Sequence, residues 1–377
     1  MSTAAPTSAS PHTVRLIVAV PEGTPVVYLT GNLPELGPWD PSRLALSGEG
    51  AERSAVLTVP AGHVLEYKIT LGSWDREGLG PSGTVLPNFT LTADRDREVR
   101  VAITDFKKDP ADYIADWRGS GVLGTLVYWL DVPSEHLPDP RHVSIWLPPG
   151  YDTSGERRYP VLYMADGQNL FDPRIASGGV DWGVDEAMVD GVRRGALEPA
   201  VVVGVWNTSR RIQEYSPWMD APLYARFLID ELMPRVERTF RVRTGPAHTF
   251  HMGSSMGGLL SLYFAWQHPE VFSACGCLST HVTHDSDSEV PLLLAAIAAG
   301  ATMPAGQRLL LDYGTEGLDV RYAEPHEAVR GWLLEQGLVE GRDFRVVAVP
   351  GAAHNEAAWR ARVGEHLQWL LGGRCSR

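Results

Sequence analysis

Six residues, Gly253-Ser254-Ser255-Met256-Gly257-Gly258, lie between an apolar strand candidate and an apolar helix candidate. Gly-x-Ser-x-Gly in that setting puts a serine on a tight strand-to-helix turn, whose neighbours must lack side chains that would clash. The turn lifts the Ser255 hydroxyl clear of the sheet and aims the Met256 backbone N–H at a developing oxyanion. A serine nucleophile needs a base, and the base needs a carboxylate to orient it. For a nucleophile on such a turn the chain order is serine, acid, histidine. His326 and His366 fall inside helix candidates among polar neighbours, which suits solvated surface histidines. His354 falls in the small-residue loop Pro350-Gly-Ala-Ala-His-Asn355 after the last strand candidate and is the expected base. The acid is expected in Tyr313-Gly-Thr-Glu-Gly-Leu-Asp319, where Asp319 at the far end is preferred and Glu316 is the alternative. Asp312 is still on the strand and is expected to be structural. A second oxyanion donor is expected in the turn Tyr163-Met-Ala-Asp-Gly-Gln-Asn-Leu-Phe171. Gly167 allows close backbone approach there, the Gln168 amide is the candidate, and Asp166 and Asn169 pin the loop.

Residues so placed need strands that alternate with helices. From about Thr125 the sequence supplies them. Strand candidates are Pro160–Ala165, Ala200–Trp206, His248–Met252, Phe272–Leu278, Arg308–Asp312 and Phe344–Val349. Helix candidates are Pro222–Thr239, Met256–Gln267, Tyr322–Gln336 and Glu356–Leu371. This alternation predicts a mostly parallel sheet covered by helices. From Thr13 to Thr104 the rhythm differs: Val14–Val20, Val26–Thr30, Ala55–Val59, Val64–Thr70 and Val99–Ile103 are short β-branched runs between Gly, Pro, Asn and Asp clusters. They predict a small all-β, immunoglobulin-like sandwich. The expected organisation is a disordered tail at 1–12, the sandwich at 13–104, a linker at 105–124 and the catalytic domain at 125–373.

Composition excludes several classes. The 377 residues are 44% hydrophobic and 21% charged, as in ordinary globular proteins. A net charge of -13 repels phosphate backbones and anionic lipid, so neither nucleic acid nor membrane is an expected partner. Cys275, Cys277 and Cys375 cannot build a disulfide framework, and buried free thiols are expected for the Cys-x-Cys pair. The Ser/Thr/Ala/Pro-rich start lacks a charged n-region and an apolar h-region, which predicts a cytoplasmic protein.

The segments Asp166-Gly-Gln-Asn-Leu-Phe-Asp172, Asn207-Thr-Ser-Arg-Arg-Ile-Gln-Glu-Tyr-Ser-Pro217, the Gly253–Gly258 turn, Asp312–Asp319 and Gly351-Ala-Ala-His-Asn-Glu356 together resemble the putative esterase family of α/β-hydrolases. That family includes enterochelin esterases, S-formylglutathione hydrolases, mycolyltransferases and feruloyl or acetyl-xylan esterases. The resemblance spans roughly Thr125 to Leu371. It implies ester hydrolysis through an acyl-enzyme on Ser255, with no metal or other cofactor, on a small-molecule or oligosaccharide ester. It also implies that Trp182, Trp206, Asn207 and Tyr215 border the pocket, although core packing and loop anchoring suit the same residues. A carbohydrate-linked or phenolic ester is the expected substrate. A siderophore trilactone is the alternative, for which Arg210-Arg211 could supply a basic pocket.

In the first hundred residues, Tyr28-Leu-Thr-Gly-Asn-Leu-Pro-Glu-Leu-Gly-Pro-Trp-Asp40 and Leu65-Glu-Tyr-Lys-Ile69 resemble family 20, starch-binding carbohydrate-binding modules. The resemblance implies a glucan site at Trp39, Lys68 and Asn88. The second stacking tryptophan of those modules should lie in Gly83-Thr-Val-Leu86, which has no aromatic; Trp74 is the possible substitute. A sandwich that only shapes the catalytic entrance is the other expectation. A glucan-binding protein with a relic hydrolase domain is the alternative of another class, but relics usually lose the serine or the histidine.

Overall fold

The first strand among the described residues is His12–Ala19 (β1), whose Val14, Leu16 and Val18 are buried while Thr13 and Arg15 face out. The computed structural model describes residues 10–282 and 292–372, apart from positions 38 and 154. Most of the expected tail, at positions 1–9, and Cys375 lie outside the described residues. Further strands are Tyr28–Gly31 (β2), Leu44–Ala45 (β3), Glu52–Val59 (β4), Val64–Thr70 (β5), Gly78–Leu79 (β6), Phe89–Thr92 (β7), Arg97–Ala102 (β8) and Asp105–Phe106 (β9). One sheet orders β4-β1-β8, a second orders β3-β2-β5-β7, and β6 pairs with β9. Apart from the parallel β1–β8 pair, these ladders are antiparallel. Val14, Leu16, Leu29, Leu57, Leu65 and Tyr67 form the core of this all-β unit. The unit extends to Asp116 and also takes in the distant segment Pro173–Gly179. Lys107, buried and paired with Glu77, donates from Nζ to the carbonyl oxygens of Ile175 and Ala176 and so fastens that segment.

The second unit comprises Trp117–Asp172 and the chain from Val180 onward. Its strands are Thr125–Val132 (β10), Arg141–Leu147 (β11), Val161–Ala165 (β12), Val201–Val205 (β13), Thr249–Ser254 (β14), Ala274–Leu278 (β15), Arg308–Gly314 (β16) and Phe344–Val349 (β17). They form one eight-stranded sheet in the order β10-β11-β13-β12-β14-β15-β16-β17. The β10–β11 and β11–β13 ladders are antiparallel and the rest are parallel. Every residue of β12, β13, β14 and β15 is buried, as a sheet covered on both faces requires. β10 and β11 are additions to the sequence expectation; their Asp131, Arg141, His142 and Ser144 break the apolar run that marks the central strands.

Helices Val184–Arg193, Met256–Gln267, Ala323–Glu335 and Glu356–Leu371 cover the sheet. The expected helix Pro222–Thr239 is composite: Ala221–Arg226, a wider i→i+5 stretch at Phe227–Leu232, then Met233–Thr239. Pro234 has no N–H and its ring would strike the Asp230 carbonyl in regular α register, which the wider turn avoids. His326 and His366 are buried rather than solvated, at 0% and 1% exposure. His366 pairs with Asp312, and His326 meets the Tyr322 carbonyl oxygen through Nδ1 at 2.8 Å. Cys275 and Cys277 are free, buried thiols with Sγ atoms 3.4 Å apart, and burial raises the Cys277 thiol well above its ordinary value. Among the described residues no helix is long and apolar enough to cross a membrane.

A buried ion pair fixes the segment after β13. Arg141 on β11 reaches Glu214 with two N–H groups, at 2.8 and 3.1 Å, and both side chains are fully buried. Removing one partner strands the other charge without water. Arg141→Met should therefore cost about 3–5 kcal/mol, read as a lower midpoint in urea unfolding. Arg141→Met with Glu214→Leu should recover most of it; a double variant no better than the single would show that packing, not charge, is at issue.

Candidate active site

β14 ends at Ser254 and the following helix begins at Met256, leaving Ser255 between them at φ 55, ψ -121. A residue with a side chain enters that region only under constraint from its surroundings. The constraint is visible. The Ser255 N–H donates to the Leu278 carbonyl at 2.8 Å, and its own carbonyl accepts from Leu259 and His281, both at 3.1 Å. Gly253 is obligatory, since a Cβ there would lie 2.6 Å from the Gly257 backbone. Met256 is the first helical residue, so its N–H has no intrahelical acceptor and remains available to an anion.

Asp319 and His354 come together from the loops after β16 and β17. His354 Nδ1 lies 2.5 Å from Asp319 Oδ1. The other carboxylate oxygen accepts from the Gly314 amide at 2.7 Å and the Ser279 hydroxyl at 2.5 Å. Asp319 is fully buried. Burial alone would raise its carboxyl, but the His354 hydrogen bond and charge, with the Ser279 and Gly314 donors, outweigh burial and hold it below its ordinary value. Glu316 is exposed, and its backbone N–H caps the Ala352 carbonyl at 3.0 Å.

The turn after β12 is held from below. Asp166, at φ 57, receives Arg211 through Nε at 2.7 Å and Nη2 at 2.8 Å, and Asn207 Nδ2 at 2.6 Å. Gln168 sits in the 3-10 turn Gly167–Asn169, with its side-chain oxygen 3.3 Å from the Asn207 N–H. A Cβ on Gly167 would lie 2.3 Å from the Gly204 carbonyl carbon, so this turn lies directly on the backbone of β13.

Residues 134–370, well over half of the chain, match the family described as Putative esterase. The chain belongs to that esterase family. It is 24% identical over 258 residues to the uncharacterized protein YbbA of Bacillus subtilis, covering 63% of this chain and 96% of YbbA. In fold it is similar to the enterochelin esterase of Shigella flexneri, at a TM-score of 0.54 and 16% identity over 94% of this chain and 91% of that one. A ferulic acid esterase structure matches at 0.53 and 18% identity, over 66% of this chain and 98% of the other.

In this esterase three of the four residues implied to border the pocket, Trp182, Trp206 and Tyr215, are buried, and Asn207 is half-buried. Trp182 is fully buried and packs edge-on against Trp359, with ring centroids 5.6 Å apart. Trp206 is buried and donates to the Ser144 hydroxyl at 2.6 Å. Tyr215 is buried with its hydroxyl accepting from the Asp166 N–H at 3.2 Å, and Asn207 is half-buried and tied to Asp166. Arg210 pairs with Asp220 at 2.8 Å, as Arg211 does with Asp166, so both cations carry their own carboxylates.

In the all-β unit, Trp39 and Trp74 are half-buried neighbours, with ring centroids 6.4 Å apart and planes at 38°. Lys68 is hydrogen-bonded to the buried Glu77 carboxylate, while exposed Asn88 approaches Glu66 at 3.4 Å. Among the described residues one carboxylate group, Asp181 with Asp185 and Glu186, gathers its oxygens within 4.8 Å. Arg360 already bridges it, at 2.6 Å to Asp181 and 2.8 Å to Glu186. Burial, then Glu186, pushes the Asp185 carboxyl up to about 8.

Arg362 and Ser279, which sequence reasoning missed, lie behind Asp319 together with Asp312, which it expected to be structural. Asp312 on β16 receives Arg362 at 2.8 and 3.2 Å, His366 at 2.8 Å and the Ser279 N–H at 2.7 Å. Burial would raise this carboxyl, but His366 and then Arg362 bring it down to about 2. A depressed folded value contributes stability above the unfolded value of roughly 4, lost as pH falls toward 2. The contribution is about 2 kcal/mol. Asp312→Asn should lower Tm at pH 7 and flatten the fall of Tm between roughly pH 4 and 2; calorimetric curves that stay parallel to wild type would refute this.

Proposed function

We propose that this esterase hydrolyses carboxylic esters through an acyl-enzyme on Ser255, with His354 as general base and Asp319 as its orienting acid. The observation that carries the proposal is the buried Asp319 carboxylate bonded to His354 Nδ1, in a chain whose Ser255 occupies the strained strand-to-helix turn. Asp319 fixes the tautomer with the proton on Nδ1, which leaves Nε2 basic. His354 then takes the Ser255 proton as Oγ attacks the ester carbonyl, and returns it to the departing alcohol. The Met256 and Gln168 N–H groups receive the tetrahedral oxyanion. Water activated by the same imidazole releases the acid and restores Ser255.

The substrate proposed is a carbohydrate-linked or phenolic ester of the feruloyl or acetyl type. A polyanionic trilactone would want unpaired cations, whereas Arg210 and Arg211 are each neutralised by an aspartate. A panel of p-nitrophenyl acyl esters, feruloylated and acetylated sugars and a ferric catecholate trilactone tests the choice; preferential turnover of the trilactone would reverse it. A glucan ligand on the all-β unit is a second proposal, supported by the Trp39–Trp74 pair, which gives two ring faces despite the missing aromatic at 83–86.

Ser255→Ala should leave the fold intact and reduce kcat on a p-nitrophenyl ester by roughly a thousandfold or more; activity within tenfold of wild type would remove Ser255 from the role. Asp319→Asn should be far more damaging than Glu316→Gln in the same assay, and the opposite ranking would transfer the acid to Glu316. The full chain should be retarded in a native gel containing soluble starch, with Trp39→Ala abolishing the retardation and sparing ester turnover. Unretarded wild type would leave the all-β unit without a glucan role.

A further inference from the structure

The hydroxyl of Ser279, immediately after β15, is the side-chain donor to Asp319 Oδ2, and its orientation is dictated by groups outside the proposed triad. Trp359 Nε1 donates to Ser279 Oγ at 3.0 Å and Arg362 Nη2 donates to it at 2.6 Å. A serine hydroxyl has two lone pairs and one proton. Both lone pairs are taken, so the proton has one remaining direction, and Asp319 Oδ2 stands there at 2.5 Å. Ser279 is fully buried, so water offers no alternative partner.

Arg362, which aims this hydroxyl, is itself clamped. Its Nε and Nη2 meet the two oxygens of Asp312, and its Nη1 donates to the Ala358 carbonyl at 3.0 Å. Asp312 in turn accepts from the backbone N–H of Ser279. The result is a closed ring, Ser279 N–H to Asp312, Arg362 to Asp312 and Arg362 to Ser279 Oγ, which ties the ends of β15 and β16 to the C-terminal helix. The backbone of Ser279 has a positive φ of 39°, an arrangement that costs energy for a side-chain-bearing residue and is retained here.

We propose that Ser279 is a positioning residue: together with the Gly314 amide it occupies Asp319 Oδ2, fixing the rotation of the carboxylate so that Oδ1 faces His354. Without the hydroxyl, Oδ2 keeps only the Gly314 donor, and the carboxylate can turn away from the imidazole. The inference rests on the triad proposed above and deepens it.

The test uses the full chain with Ser279→Gly and Ser279→Ala. Glycine tolerates the positive φ, so the first variant removes the hydroxyl without backbone strain. Two quantities are read: kcat and KM on a p-nitrophenyl ester, and the low-field proton resonance of the His354 Nδ1–H in a ¹⁵N-histidine-labelled sample. Both variants should lose about tenfold in kcat at unchanged KM, and the resonance should broaden or move because its acceptor is no longer held. Wild-type kcat with an unmoved resonance overturns the proposal, as does a lower Tm alone. Failure of both variants to fold would assign Ser279 to structure and overturn it too. If wild type turns over no ester yet the resonance responds to Ser279→Gly, the positioning role stands and the esterase reading falls.

Discussion

Ser255 must hold a backbone conformation that costs of order 1–3 kcal/mol, and the sheet around it is arranged to impose that cost. The serine is anchored through its N–H to the end of β15 and through its carbonyl to His281 and to the first turn of its own helix. These anchors exist only because β14 lies between β12 and β15, with all its residues buried. The Gly167 turn follows β12 and the Asp319 segment follows β16, both beyond the C-terminal ends of parallel strands. At those ends backbone approaches backbone at distances no side chain permits: Gly253 meets Gly257, Gly167 meets Gly204, and a Cβ on Gly314 would lie 2.1 Å from the Ala352 carbonyl oxygen. The backbone geometry there is largely a matter of which positions lack a side chain.

The strand-to-helix turn at Ser255 and the His354–Asp319 contact lie in segments that local sequence could single out. A nucleophile turn announces itself by the spacing of its glycines, and His354 by a small-residue loop following the final strand. The sandwich and the parallel sheet were legible from periodicity for the same reason. The antiparallel β10 and β11 were less so, because Arg141 and His142 interrupt the apolar run, and nothing local says that Arg141 will find Glu214, 73 positions away.

Burial was the main quantity that sequence could not supply. His366 and His326 sit among charged neighbours along the chain, yet both face inward, since helical neighbours at one position say little about what the opposite face meets. Asp312 looked structural for being on a strand; that it gathers Arg362, His366 and the Ser279 amide depends on contacts 33 to 54 residues apart. Trp182, Trp206 and Tyr215 illustrate the converse. An aromatic near a predicted site can equally be a wall of the pocket or a support beneath it, and only packing distinguishes the two. Trp39 and Trp74 are 35 positions apart, so their pairing depends on how the strands between them fold back.

The attachment of Pro173–Gly179 to the all-β unit bears on how such a chain could be assembled in evolution. The polypeptide passes between the two units three times, at 116–117, 172–173 and 179–180, and the second and third passages closely follow the Gly167–Asn169 turn. A recombination breakpoint near residue 116 would transfer only part of the N-terminal unit and leave behind the seven-residue piece that Lys107 fastens. The all-β unit is therefore built from two pieces of the chain. Exchanging it whole for another module would have to replace Pro173–Gly179, just beyond the Gly167–Asn169 turn, as well as the first 116 residues.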